Sequence, residues 1–154
     1  MTGNNDTTVN PIKVDDPPKY SKEGLAVLTN MKDLKSYWYV CMKTKGIPNA
    51  IRYTDMEDIN RNLADAFAYA YRANEHGGEN LVRKQNGLPP RFKPYDILQD
   101  ARKAEDFFTI AKAKIKLVTL LPELKQRKGE LNIKVGKVSK TMRGWLIYLQ
   151  SQSR

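Results

Sequence analysis

Apolar residues recur at steps of three and four along most of this chain from about residue 21. No stretch holds the two-residue alternation of a half-buried strand for long. Leu25, Leu28, Met31, Leu34, Trp38, Cys41 and Met42 predict a first helix over 21–45, with Trp38, Tyr37 and Tyr39 as packing residues. Gly46 and Pro48 stop it, one freeing the backbone and the other blocking helix continuation. A second helix is predicted over 55–74 from the stripe Met56, Ile59, Leu63, Ala66, Phe67 and Ala70. Thr54 with Glu57 reads as a capping box at its start, and Gly77-Gly78 as its end.

The third predicted helix, 96–125, carries two apolar arcs rather than one. Ile97, Ala101, Ala104, Phe108, Ala111, Ile115 and Val118 make the first, and Phe107, Ile110, Leu117, Leu120, Leu121 and Leu124 the second. A polar wedge of Glu105, Lys112 and Lys116 separates them. A bundle helix needs one buried stripe, so the second arc asks for a further neighbour, such as another subunit, the long loop or the N-terminal arm. Pro122 should kink or end this helix. The fourth predicted helix, 130–150, buries Val135, Val138, Met142, Trp145, Leu146 and Leu149 and turns Lys134, Lys137, Lys140 and Arg143 outward. Gly136 and Gly144 cost helix propensity there, which points to tight packing or the approach of another chain. The pattern as a whole predicts an all-α, antiparallel up-down-up-down four-helix bundle over 21–154. Residues 1–20, polar and holding Pro11, Pro17 and Pro18, read as a disordered or extended arm. Residues 76–94, Gly- and Pro-rich, read as a long basic connector carrying Arg83, Lys84, Arg91 and Lys93.

Charge changes the picture. Residues 1–100 hold 14 Lys and Arg against 13 Asp and Glu, whereas residues 101–154 hold 13 against 4. Nearly all of the net charge of +10 therefore lies in the last third. Such asymmetry favours a polyanionic partner, and it also suits a solvated helix surface. Phe92, between Arg91 and Lys93, is a candidate for stacking on an unpaired base or, alternatively, an anchor for its loop.

Candidate chemistry is sparse. One cysteine (Cys41) and one histidine (His76) supply neither a disulfide framework nor a zinc site. There is no phosphate-binding glycine loop, metalloprotease helix or nucleophile elbow, so no cofactor, metal or catalytic residue is expected. No apolar run approaches a membrane span of about 20 residues, and no leader pattern opens the chain, so a cytoplasmic protein is expected. Arg72 and His76 have the residue types of the helical HEPN ribonucleases, but their spacing is one residue short of that pattern.

Gly46-Ile47-Pro48-Asn49-Ala50-Ile51-Arg52-Tyr53-Thr54, followed by a helix, resembles the four-helix family of the rRNA-intervening-sequence proteins. Val135 to Leu146, with Gly144-Trp145-Leu146 after a basic stretch, is similar to that family's accessory variability determinant proteins of diversity-generating retroelements. The resemblance covers about Leu25–Gln150. It implies a non-enzymatic subunit that forms a homopentameric ring, binds template RNA and cDNA, and supports error-prone synthesis by the element's reverse transcriptase. Lys116 falls at a basic position of the family, and Lys134, Lys137, Lys140 and Arg143 match its basic last helix in character. The arm and the 76–94 connector depart from the family pattern. The candidate nucleic-acid contacts are therefore Lys112, Lys116, Lys134, Lys137, Lys140, Arg143, Arg83, Lys84, Arg91 and Lys93. The candidate subunit interface is Phe107, Ile110, Leu117, Leu120 and Leu121. A stand-alone structural protein of the intervening-sequence type, or a ribonuclease, are the alternative readings.

Overall fold

Four long helices carry the structure: α1 (Lys22–Met42), α2 (Glu57–Gln85), α3 (Pro94–Val118) and α4 (Lys128–Gln152). This computed structural model describes residues 20–154, and they contain no strand. The expected arm lies outside the described residues except for Tyr20. Each helix packs on the next and α4 packs back on α1, so the four surround one core. Cross-helix bonds mark the seams. Asn62 of α2 accepts from Lys114 of α3 (3.1 Å), and Arg72 of α2 holds Asp100 of α3 (2.6 and 2.9 Å). On the other side, Asn30 and Asp33 of α1 meet Thr141 and Lys134 of α4 at 3.3 and 2.7 Å.

The core stripes match the apolar periodicity for most of their length. Every residue of the first arc of α3 and of the expected stripe of α4 is buried. At the start of α1 the stripe is shifted, with Gly24 and Val27 buried while Leu25 is exposed. Cys41 is a core residue, and burial pushes its thiol up to about 11.

Three expectations about element ends are overturned. The Thr54 capping box does not form, because the chain is already helical there. A single turn, Asn49–Ile51, follows Pro48 and passes through a π-helical turn, Arg52–Met56, into α2. Thr54 Oγ1 instead donates to the Ala50 carbonyl. The widened turn leaves the Met56 carbonyl in reach of the fully buried Trp38, whose Nε1 donates to it (3.1 Å).

The second correction concerns the 76–94 connector. Gly77-Gly78 does not end the helix, and α2 runs on to Gln85. Its buried stripe continues through Ala73, Asn74 and Gly78, so tertiary packing outweighs the low helix propensity of two glycines, about 1 kcal/mol each. The stop lies at Gly87 (φ +72°), where Gly87 N–H bonds to the Lys84 carbonyl and Leu88 N–H to the Arg83 carbonyl. The true connector is residues 86–93. Asn80 clamps it: its Oδ1 accepts from Arg91 and Phe92 N–H, and its Nδ2 donates to the Phe92 carbonyl (2.7–3.0 Å).

Third, α3 ends at Val118 rather than Lys125. Pro122 has no N–H to offer the carbonyl of the residue four before it, which is Val118. A short 3-10 turn, Pro122–Leu124, then tucks Leu124 into the core.

Candidate nucleic-acid interface

The seam between α3 and α4 is the place where exposed cations converge. On α3, steps of three and four align Arg102, Glu105, Thr109, Lys112 and Lys116 along one flank. On α4, Ser139 and Arg143 occupy the facing rim. Glu105, Lys112, Lys116, Ser139 and Arg143 line one groove of about 340 Å³, floored by Phe108 and Met142. Lys112 Nζ bonds to Ser139 Oγ across it (3.3 Å). A second depression adjoins it, with Arg102, Glu105, Asp106 and Arg143 among its walls. Arg143 thus borders both. Lys112, Lys116 and Arg143 are exposed and form no ion pair with any described residue. Glu105 and Asp106 offset part of the charge at the Arg102 end, so the Lys112–Lys116 end is the more positive. Arg102 was missed by sequence reasoning, although its three-and-four spacing from Lys112 was available.

The other expected contacts do not join this group. Lys134 is not a free cation: it bonds to Asp33 (2.7 Å) and Glu130 (3.3 Å) and sits over the Tyr37 ring. The hydrogen bond to Asp33 leads the effects that push its ammonium pKa up. Its work is to tie α4 to α1. Lys137 and Lys140 are exposed and without ion pairs among the described residues, and Lys140, next in the chain to Ser139, does not itself line the groove. Arg83, Lys84, Arg91 and Lys93 cluster at the far end of the bundle. Lys93 and Lys112 are roughly 28 Å apart along α3 at 1.5 Å per residue. Arg91 is bound by both oxygens of Glu79 (2.9 and 3.1 Å), and Arg83 Nε bonds to the Pro89 carbonyl (2.7 Å). Phe92 anchors its loop, packed on the core and stacked on the His76 ring at 3.7 Å.

Arg72 and His76 are one turn apart on α2, but each is already engaged. Arg72 is paired with Asp100, which pushes its pKa further up, and His76 lies flat on Phe92.

The second apolar arc of α3 divides. Leu124 is buried, Leu121 half-buried, and Phe107 stacks on Tyr69 of α2 at 5.7 Å. Ile110, Leu117 and Leu120 remain 44%, 69% and 72% exposed. On α4, Ile133 and Ile147 are exposed as well. Among the described residues nothing lies within 4 Å of the Cβ that a side chain at Gly136 or Gly144 would have, so these glycines do not serve tight packing among them. No described helix is long and apolar enough to cross a membrane, and no described cluster of side chains could hold a metal ion.

No protein-family model matches this chain, and neither a curated protein nor a solved structure matches it.

Proposed function

We propose that this protein is a non-enzymatic nucleic-acid-binding subunit that works as an oligomer. The observation that carries the reading is the unpaired set Lys112, Lys116 and Arg143 on one seam, with Lys140 beside it. Cations without carboxylate partners are free to replace the counterions of a phosphate chain. Lysine point charges position phosphates without reading bases, so binding is weakly sequence-specific. The cross-helix pairs on the α2–α3 and α1–α4 seams support an antiparallel up-down-up-down course, because residue numbers rise on one helix as they fall on its partner. Self-association is supported by the exposed Ile110, Leu117 and Leu120. A ring of copies would multiply the positive seam around its rim. The reverse transcriptase partner, template RNA, cDNA and pentameric number rest on the sequence resemblance alone.

The test is anisotropy of a labelled single-stranded RNA between 50 and 200 mM salt. Reversing Lys112, Lys116 and Arg143 to Glu should reduce the slope of log affinity against log salt by about 2, since three lost phosphate contacts count roughly 0.7 each on a single strand. An unchanged slope would mean that the seam is only a solvated surface. Lys134 is left out of the variant because of its ion pairs. Co-purification with a neighbouring reverse transcriptase tests the partner, and RNA cleavage abolished by His76→Ala would favour the ribonuclease instead.

A further inference from the structure

An apolar cavity lies at the other end of the bundle, where α2 outruns its expected length. A cavity of about 490 Å³ opens among the end of α2, the connector, the start of α3 and the end of α4. Ala73, Leu81, Pro94, Ile97, Trp145 and Leu149 form much of its wall. Its size is within the ordinary range of small-molecule sites, which combine an apolar body with a few polar groups.

The polar groups are unbalanced in sign. Of the sixteen described lining residues, Lys84 alone carries a full charge, and none is a carboxylate. Lys84 is exposed at the rim and pairs with no carboxylate among the described residues. Tyr148 is half-buried in the wall and also borders the neighbouring depression that Glu23 lines. Burial, with Glu23 adding to it, pushes that phenol up, so it remains a donor at neutral pH. By contrast, the Asn74 and Asn80 amides are occupied by backbone groups. Lys84 is thus the unpaired cation beside an apolar wall, while the Tyr148 side of the cavity faces Glu23.

We propose that this end cavity binds a small amphipathic monocarboxylate, with its hydrocarbon part inside and its carboxylate at Lys84. The site is separate from the α3–α4 seam and does not depend on the nucleic-acid reading. Gly77 supplies a direct way to close it. Gly77 lines the cavity, and a Cβ there would meet no atom within 4 Å. A larger side chain would grow into the open space, and leucine suits the helix better than glycine.

Octanoate, octanol and octylammonium are the probes, titrated into the full chain and followed by calorimetry and tryptophan emission. Trp145 lines the cavity, while Trp38 is sealed in the core. Octanoate should bind saturably, octanol more weakly and octylammonium least. Lys84→Gln should weaken octanoate by about fivefold, the order of one exposed charge pair, and leave octanol unchanged. Gly77→Leu should abolish octanoate binding while raising Tm. Absence of saturable octanoate binding overturns the proposal. So does octanoate affinity that survives Gly77→Leu in a folded protein, or octylammonium binding as tightly as octanoate. Lys84 is exposed, so its variant tests the carboxylate contact even if the leucine variant misfolds.

Discussion

Gly24 and Asn74 show how one position can demand a glycine inside a helix. A Cβ on Gly24 would overlap the Asn74 amide oxygen, and Asn74 is buried. Its Nδ2 donates to the Gly24 carbonyl (3.2 Å) and the Ala70 carbonyl (3.1 Å), so the side chain cannot swing away without stranding a buried amide. Gly24→Ala should therefore destabilise the fold by about 1–3 kcal/mol, as overpacking does, despite the better helix propensity of alanine; urea unfolding measures it. Cys41 yields a prediction of opposite character. Its folded pKa of about 11 lies above its ordinary value of 9.0, so the folded state holds the proton more tightly. The stabilisation from this group is complete below pH 9 and is lost as pH rises from about 9 toward 11. Iodoacetamide at pH 8 should label Cys41 only on unfolding, which mass spectrometry reads directly.

At the scale of the element, the ends of helices depended on contacts more than on local signals. Thr54 and Glu57 have the residue types of a cap, yet the turn before them is already helical and the Trp38 indole binds its last carbonyl. Trp38→Phe should cost about 1–3 kcal/mol by removing that buried donor, with fluorescence following Trp145 as the remaining reporter. The shortened connector gives a second expectation. Three hydrogen bonds from Asn80 hold the backbone at Arg91 and Phe92. Asn80→Ala should raise the rate of tryptic cleavage after Arg91 by roughly tenfold through local opening. Gel electrophoresis with N-terminal sequencing of the fragments checks it; a rate equal to that of the parent would show that Phe92 packing alone secures the loop.

For the whole molecule, two regions have different characters. The α3–α4 seam gathers cations unpaired among the described residues, while the end of the bundle where α2 stops holds an apolar cavity with one charge at its lip. The exposed Leu117 belongs to the same helix as Lys112 and Lys116, and Leu120 lies in the turn just past its end, so assembly and charge display are linked through α3. Replacing Leu117 and Leu120 by Glu should convert an oligomer to single subunits by light scattering. Because these positions are 69% and 72% exposed, the variant should leave the thermal stability of the subunit nearly unchanged. A parent protein that scatters as a single subunit at working concentration would remove the case for a ring.

The helical class, the four core stripes and the uneven charge were determined by sequence, since each follows from a period or a count that neighbours along the chain impose. Val135, Val138, Met142, Trp145 and Leu149 face inward because a helix with that spacing has no other way to hide them. Only tertiary structure decided the rest. It kept Gly77-Gly78 helical by packing α2 past them, gave Lys134 to Asp33 while leaving Lys137 and Lys140 unpaired, and opened the end cavity. The physical reason is that a lysine's availability and a glycine's tolerance depend on atoms many tens of residues away. Composition counts such groups but does not place their partners.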